Sequence, residues 1–171
     1  MNCKCDFIRY SGTYKWHFGY CVILCYLFRK CQISSGLTLH FFHIIFFIWK
    51  NMRGIGISSQ TTIGSGLYIG HPWGININHN AIIGKNINIH KGVTIGQENR
   101  GKRKGAPVIG NEVWIGINAT VVGNITIGDD VLIAPNSFVN FDIPSHSVVI
   151  GNKIIPKKNA TQGYIDNKVI E

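Results

Sequence analysis

A period of six residues governs the sequence from residue 57 onward. Aliphatic side chains recur at every sixth position, and a small or aliphatic side chain often follows four residues later. This period fits neither an α-helix, at about 3.6 residues per turn, nor a long alternating strand. It predicts short strands joined by turns, three strands to a coil, with one aliphatic side chain of each strand pointing inward and the coils stacked at the inter-strand spacing. The inward positions are Ile57, Ile63, Ile69, Ile75, Ile77, Ile83, Ile89, Ile95, Ile109, Ile115, Val121, Ile127, Ile133 and Val139.

The repeat is broken in two places. Its register slips by two residues between Ile75 and Ile77, and Ile109 stands eight residues beyond position 101, where the period would have continued. The second break, residues 97–107, is called the basic loop below. Because loops extruded from a rigid scaffold often carry function, we expect it to contact the phosphates of a nucleotide cofactor or an anionic acceptor, or else to be a solvated turn. Its charged residues are Glu98, Arg100, Lys102, Arg103 and Lys104, and Lys153 is a further candidate for the same phosphates.

The first 54 residues have a different composition, with seven basic residues, one acid and two apolar runs at 18–28 and 37–49. Both runs are shorter than the roughly 20 residues that a membrane-spanning helix needs, and no signal-peptide cleavage site follows them. They predict two helices that pack on the rest of the protein or on partner subunits, or that lie at a membrane surface with their basic residues near anionic headgroups. A re-entrant or spanning element is the third alternative.

The chain is accordingly divided into a hydrophobic, basic helical segment (1–54), a repeat domain (55–155) that includes the basic loop, and a C-terminal tail (156–171). All five cysteines lie between residues 3 and 31. Their odd number argues against a disulfide scaffold, and a metal site would need a further pair or histidines. We therefore expect reduced thiols, as in a cytoplasmic protein, and no bound metal.

One histidine stands at the first break in the repeat. His71 lies in Gly70-His-Pro-Trp-Gly74, where the smooth wall of the coil is interrupted. An imidazole there can act as a general base, because its ordinary pKa is near 6.5. His79 and His90 each occupy a polar position of a hexad and are expected to be exposed turn residues. Residues that could contact an acceptor are Trp73, His90 and Glu98.

Three stretches of the repeat carry a family resemblance: Ile63-Gly-Ser-Gly-Leu-Tyr-Ile-Gly-His71, Val93-Thr-Ile-Gly-Gln97 and Ile109-Gly-Asn-Glu-Val-Trp-Ile-Gly116. They resemble the hexapeptide-repeat acyltransferases, and among these the serine acetyltransferases and their relatives in capsule and exopolysaccharide gene clusters. Asp6-Phe-Ile-Arg-Tyr-Ser-Gly12 resembles the start of the capsule-type subgroup. The resemblance implies a left-handed parallel β-helix preceded by a short helical segment; the spacing itself does not show the handedness.

The resemblance also implies a mechanism. The histidine that matches His71 takes a proton from an acceptor hydroxyl, whose oxygen then attacks the thioester of the co-substrate acetyl-CoA. Active sites in this family form between the subunits of a homotrimer, with the extruded loop closing over the cofactor. The pantetheine arm of the cofactor would follow the later coils around Gly116, Ile117, Ala134 and Pro135.

Four positions depart from the serine acetyltransferases. Gly56 stands where they have an aspartate that pairs with the catalytic histidine, and Gly70 where they have an aspartate that contacts the serine amine. Ala106 replaces a second active-site histidine, and Phe141 replaces a lysine near the cofactor phosphates. Glu98 or a backbone carbonyl would then orient His71.

These observations predict an acetyl-CoA-dependent O-acetyltransferase, cytoplasmic and at the inner face of the membrane, that acetylates a hydroxyl of a polysaccharide precursor, free or lipid-linked. The alternatives are a serine O-acetyltransferase of cysteine biosynthesis and a non-catalytic trimeric scaffold. Nucleic-acid binding is not expected, because the basic loop has no interleaved aromatic residues.

Two expectations concern assembly. Tyr68, Trp73 and Trp114 should point outward from the coils, and such an aromatic surface predicts a trimer that buries some of them. The ladder of aliphatic residues begins at Ile57, so the repeat should fold without the first 50 residues.

Overall fold

The computed structural model describes residues 4–11 and 15–170, which form three helices followed by a parallel β-helix. The helices are α1 (Lys4–Ile8), α2 (Lys15–Ile33) and α3 (Gly36–Asn51). The coils have three faces, which the chain visits in the order B, C, A. Face A contains β3 (Asn76–Ile77), β6 (Thr94–Gly96), β9 (Thr120–Val122) and β12 (Phe138–Val139). Face B contains β1 (Thr62–Ile63), β4 (Ile82–Ile83), β7 (Val108–Ile109) and β10 (Thr126–Ile127). Face C contains β2 (Tyr68–Gly70), β5 (Asn88–His90), β8 (Val113–Ile115), β11 (Val131–Ile133), β13 (Ser147–Ile150) and β14 (Lys153–Pro156).

The predicted inward residues form the core. Each aliphatic side chain stacks on its equivalent in the next coil, in parallel register, and all of them are buried. The fold class is thereby confirmed as a parallel β-helix. The three ladders are Ile63, Ile83, Ile109 and Ile127 on face B; Ile69, Ile89, Ile115, Ile133 and Val149 on face C; and Ile77, Ile95, Val121 and Val139 on face A.

Both breaks in the period are insertions at corners. In the coil that contains His71, Gly70 and Ile77 are seven residues apart. Their partners in the next coil, His90 and Ile95, are five residues apart, so the turn at His71 has two extra residues. Gly96 and Val108 are twelve residues apart, whereas their partners in the next coil, Val122 and Thr126, are four residues apart. The basic loop therefore has the eight extra residues predicted. The strands above and below each insertion keep their register, because the aliphatic side chains still have to stack.

The N-terminal segment closes one end of the β-helix. Leu24, Cys25 and Phe28 of α2 are buried, and so is the ion pair between Asp6 and Arg29. Arg29 donates to the carbonyls of Ile63 and Gly64, both at 2.6 Å, and Asp6 accepts from the N–H groups of Gly66 and Leu67, both at 2.9 Å. The first coil has no coil beneath it. These side chains therefore bind the backbone groups to which a coil below would otherwise be hydrogen-bonded.

The packing of α2 therefore confirms that the segment packs on the rest of the protein, and it revises the expectation that the repeat stands alone. Removing residues 1–50 would expose the base of the core and leave first-coil backbone groups without their buried partners. Cys21, Cys25 and Cys31 are buried free thiols in this base, and burial raises the pKa of Cys21 to about 12. Cys3 and Gly12 lie outside the described residues.

Helix α3 packs differently. Phe46 is its one buried residue, and five large apolar side chains of the helix, together with that of the C-cap residue Met52, are exposed. None of the helices in the described ranges is both long and apolar enough to cross a membrane. The exposed side chains are Leu37, Phe41, Ile44, Phe47, Ile48 and Met52.

The C-terminal residues form an ordered cover for face C instead of a tail. Strand β14 turns antiparallel to β13, and residues 157–170 then run back toward the base. Asp130 holds this segment by accepting from the N–H groups of Ala160 and Thr161, both at 3.0 Å, and from His146 at 2.8 Å. Burial alone would raise the pKa of Asp130, but these hydrogen bonds and that of the Thr161 hydroxyl lower it to about 2.

Two of the three outward aromatic residues are partly covered by the chain itself, and the trimer that would bury some of the three stays a prediction. The ring of Tyr164 lies 5.3 Å from that of Trp114, and the ring of Tyr10 lies 4.9 Å from that of Tyr68. Trp73 remains exposed.

The Asp6–Arg29 pair gives a stability prediction. Asp6→Asn should destabilise the fold by about 3–5 kcal/mol, because it leaves a buried guanidinium without its counter-charge. Glu112→Gln is the matched control, since the Glu112–Lys168 pair is exposed and should contribute less than about 1 kcal/mol. Urea unfolding measures both. Equal, small losses would show that the buried pair does not hold the base together.

Candidate active site

The turns from face C to face A, called the C–A corner, stack into a single column. They comprise residues 71–75, 91–93, 116–119 and 134–137. Backbone hydrogen bonds join each turn to the next: Gly92 donates to Trp73, Asn118 to Lys91 and Asn136 to Ile117, each at 2.9 Å. The column therefore brings together six predicted site residues: His71, Trp73, Gly116, Ile117, Ala134 and Pro135. Lys153 lies beyond its top, after the turn in which Gly151 donates to Ser137 at 3.0 Å.

His71 lies at the lower end of this column. Its backbone has a φ of 55°, in the left-handed region, and its carbonyl accepts from the Trp73 N–H at 2.8 Å. A residue other than glycine is uncommon in this region, and here it forms part of the two-residue insertion that widens the turn. The insertion leaves the imidazole exposed at the corner. An exposed imidazole on a rigid turn is suited to accept a proton from a bound hydroxyl.

His90 is packed beside His71, which corrects the expectation of an exposed turn residue. Its ring centroid lies 6.4 Å from that of His71 and 4.7 Å from that of Trp114. Burial, and secondarily the neighbouring His71, lower the pKa of His90 to about 4, so this imidazole is neutral near pH 7. His79, by contrast, is exposed as predicted.

Two cations near His71 were not identified from the sequence. The guanidinium of Arg53 lies 4.1 Å from the centre of the Trp73 ring, and Lys91 follows His90 in the coil above. Lys91 could have been found by aligning the coils, because it falls on the same corner as His71. Arg53 belongs to the connection after α3, whose path the repeat does not specify.

Gly56 and Gly70, which stand where the resemblance to serine acetyltransferases implies aspartates, are each crowded by one neighbouring side chain. A Cβ on Gly56 would lie 2.3 Å from Oδ1 of Asn76, and a Cβ on Gly70 would lie 2.5 Å from Nδ1 of His90. Real Cβ atoms do not approach other atoms so closely, so both neighbours would have to move. The exposed Asn76 amide can rotate away, whereas the His90 ring is held against Trp114, so position 70 is the more restricted of the two.

The basic loop leaves from the opposite edge of face A. It closes on itself through hydrogen bonds between the backbones of Glu98 and Gly105, at 2.9 and 3.0 Å, and Asn124 donates to the Arg103 carbonyl at 2.9 Å. Its four basic side chains are exposed. The carboxylate of Glu98 forms an ion pair with Arg103 at 3.1 Å, and both residues belong to the basic loop. The width of face A thus separates Arg100, Lys102, Arg103 and Lys104 from His71 within one chain.

No group of three potential metal ligands occurs among the residues that the structure describes. The C–A corner does fit the anionic cofactor expected from the sequence. Its turns contain small residues at Gly116 and Ala134, a cation at Lys91, and no carboxylate in any of the four described turns.

Comparison with known proteins agrees with this architecture. A family model described as bacterial transferase hexapeptide (six repeats) matches residues 106–140. A serine acetyltransferase of Helicobacter pylori is 41% identical over 102 residues, which cover 60% of this chain and 60% of that protein. One from Staphylococcus xylosus is 42% identical over 104 residues, covering 61% of this chain and 48% of the relative. The repeat domain is similar to that of the serine acetyltransferases.

Solved structures extend the likeness over nearly the whole chain. Serine acetyltransferase isoform 3 of Entamoeba histolytica, in complex with cysteine, superposes with a TM-score of 0.71 at 26% identity and covers 95% of this chain and 62% of that one. The soybean serine acetyltransferase apoenzyme, at 24% identity and a TM-score of 0.73, shows the shared fold. The chain spans about 60% of the length of the Helicobacter relative. These relatives carry no capsule-related name, so the resemblance to capsule-cluster enzymes stays a prediction.

Proposed function

We propose that this protein transfers the acetyl group of acetyl-CoA to a hydroxyl, with His71 as the general base. The observation that carries the proposal is the exposed imidazole at the end of a column of small corner residues. His71 would accept the hydroxyl proton, and the oxygen would attack the thioester carbonyl. The C–S bond would then break, and His71 would return the proton to the leaving sulfur, so that CoA is released as the thiol. The similarity to serine acetyltransferases supports the same reaction class.

The cofactor would lie along the C–A corner. The pantetheine arm would lie against Gly116, Ile117, Ala134 and Pro135. The phosphates of the cofactor would bind Lys153 and the cations of the basic loop. Charge-assisted hydrogen bonds from Arg and Lys suit phosphate oxygens.

A homotrimer would complete this site. Within one chain the basic loop and His71 stand at opposite edges of face A, so cations of the loop would reach a cofactor beside His71 only across a subunit interface. Exposed Trp73 lies at the edge where such an interface would form. Light scattering should then give a mass three times that of the chain.

Two acceptors are candidates. L-serine is supported by the names of the relatives and is the first to be tested. A hydroxyl of a polysaccharide precursor is the second, favoured by the two glycine positions, where neighbouring side chains take up the space of the aspartates that serine acetyltransferases use.

The exposed apolar side chains of α3 support contact with the inner face of a membrane. Residues 1–54 carry a charge of +6, from seven basic residues and one acid, so an anionic bilayer would attract this end of the molecule. Co-sedimentation with anionic vesicles, but not with neutral ones, is the expected result.

Replacement of the base is the direct test of catalysis. His71→Ala should lower kcat/KM for acetyl transfer by roughly 10²–10⁴-fold, the usual contribution of a general base. His40→Ala is the control, because His40 is exposed on α3, away from the corner. Release of the CoA thiol measures both. Full activity in His71→Ala would show that another group takes the proton, and absence of transfer in the unmodified protein would favour a non-catalytic scaffold.

The basic loop is tested by charge removal. Changing Arg100, Lys102, Arg103 and Lys104 together to Gln should raise the KM for acetyl-CoA about tenfold, and more at low salt, where screening is weak. Lys157→Gln with Lys158→Gln is the control, since these exposed cations lie on the C-terminal segment. A raised KM for the acceptor would instead assign the loop to acceptor binding, and no change would make it a solvated turn.

A further inference from the structure

We infer that the site at His71 selects hydroxyl acceptors that carry no ammonium group, and that His90 sets this selectivity. The inference rests on the proposed acetyl transfer and adds the chemical class of the acceptor. It follows from the shape and charge of the C–A corner in this chain.

The space beside His71 is already occupied by a side chain. His90 fills the space beside the backbone that precedes His71, so that a Cβ on Gly70 would lie 2.5 Å from its Nδ1 and 2.6 Å from its Cε1. Trp114 covers the ring from the coil above, at 4.7 Å between centroids. With the imidazole confined in this way, residue 70 cannot present a carboxylate to an acceptor at His71.

The C–A corner offers no negative charge to an ammonium group. The described turns of the C–A corner contain no Asp or Glu, and their one fixed charge is the cation Lys91. His90 is neutral near pH 7, because burial and then His71 lower its pKa to about 4. An ammonium group that moves from water to this corner would lose hydration and gain no counter-charge.

Six of the seven described carboxylates lie in other parts of the molecule. They are bound to residues of the base, of other corners, of the basic loop or of the C-terminal segment. They are Asp6 at the base; Glu112, Asp129 and Asp130 at the turns from face B to face C; and Glu98 and Asp142 between faces A and B. The seventh, Asp166, lies on the C-terminal segment over face C. It lines a cavity together with His90 and Trp114, and the cation Arg9 lies beside it there.

His90 contributes poorly to stability. Its Nε2 is buried and has no hydrogen-bond partner among the residues that the structure describes. A buried polar atom without a partner lowers the free energy of unfolding, and an apolar side chain would avoid that cost. This loss of stability indicates that the role of His90 lies in shaping the site and not in stabilising the fold.

A matched pair of acceptors tests the selectivity. Glycerol and serinol differ in one group, a hydroxyl in glycerol and an ammonium in serinol. The unmodified protein should acetylate glycerol with a kcat/KM at least about tenfold above that for serinol, with thiol release from acetyl-CoA as the readout. A preference for serinol or L-serine would overturn the inference and leave the acetyl transfer intact. No transfer to any acceptor, polyols and sugars included, would overturn the proposed function and the inference with it.

Variants then test the role of His90. Gly70→Asp with His90→Ala removes the ring and introduces a carboxylate, and should move the ratio toward serinol about tenfold, equivalent to ~1.4 kcal/mol. His90→Ala alone removes the ring without adding the charge and should change the ratio less than about threefold. Circular dichroism and light scattering report whether the variants are folded. An unchanged ratio in a folded double variant would show that His90 does not set the selectivity, and if the double variant does not fold, the comparison of glycerol with serinol on the unmodified protein decides.

Discussion

Stacking of aliphatic side chains inside the β-helix constrains every other part of this molecule. Each coil has to place its isoleucine or valine on that of the coil below, so the strands keep a fixed register and the turns between them align. Extra residues are therefore accommodated only at corners. The two insertions obey this rule, and one of them exposes His71 at the end of a continuous column of backbone turns.

The ends of such a ladder need a different solution, because a first coil has no neighbour below it. Here the N-terminal segment supplies one: Asp6 and Arg29, paired in the interior, bind backbone groups of residues 63–67, and α2 covers the aliphatic base. The C-terminal segment acts in a similar way on face C, where Asp130 holds it in place. Asp6 thus has a structural role, and so has Arg9, which donates to the side-chain oxygen of Asn88 and to the carbonyl of Asp166.

Much of the fold could be predicted from the sequence, because a six-residue period repeated over fourteen positions leaves one class of architecture. The length of the basic loop and the break at His71 follow from the same arithmetic. The burial of Arg29 could not be predicted, since a buried arginine and a solvated one look alike in a sequence. His90 was misassigned for a related reason: a polar hexad position shows that a side chain points outward, but not that Trp114 and Gly70 enclose it. The cover on face C was missed because residues 157–170 have no period.

The claim on which this account depends is that the C–A corner is the site of acetyl transfer. A crystal structure of the protein with CoA tests it most directly. The account predicts the CoA sulfur beside His71, the pantetheine arm along the turns at residues 116–119 and 134–137, and the basic loop of a neighbouring subunit over the cofactor. CoA bound on another face, or a corner left empty at saturating CoA, would contradict it.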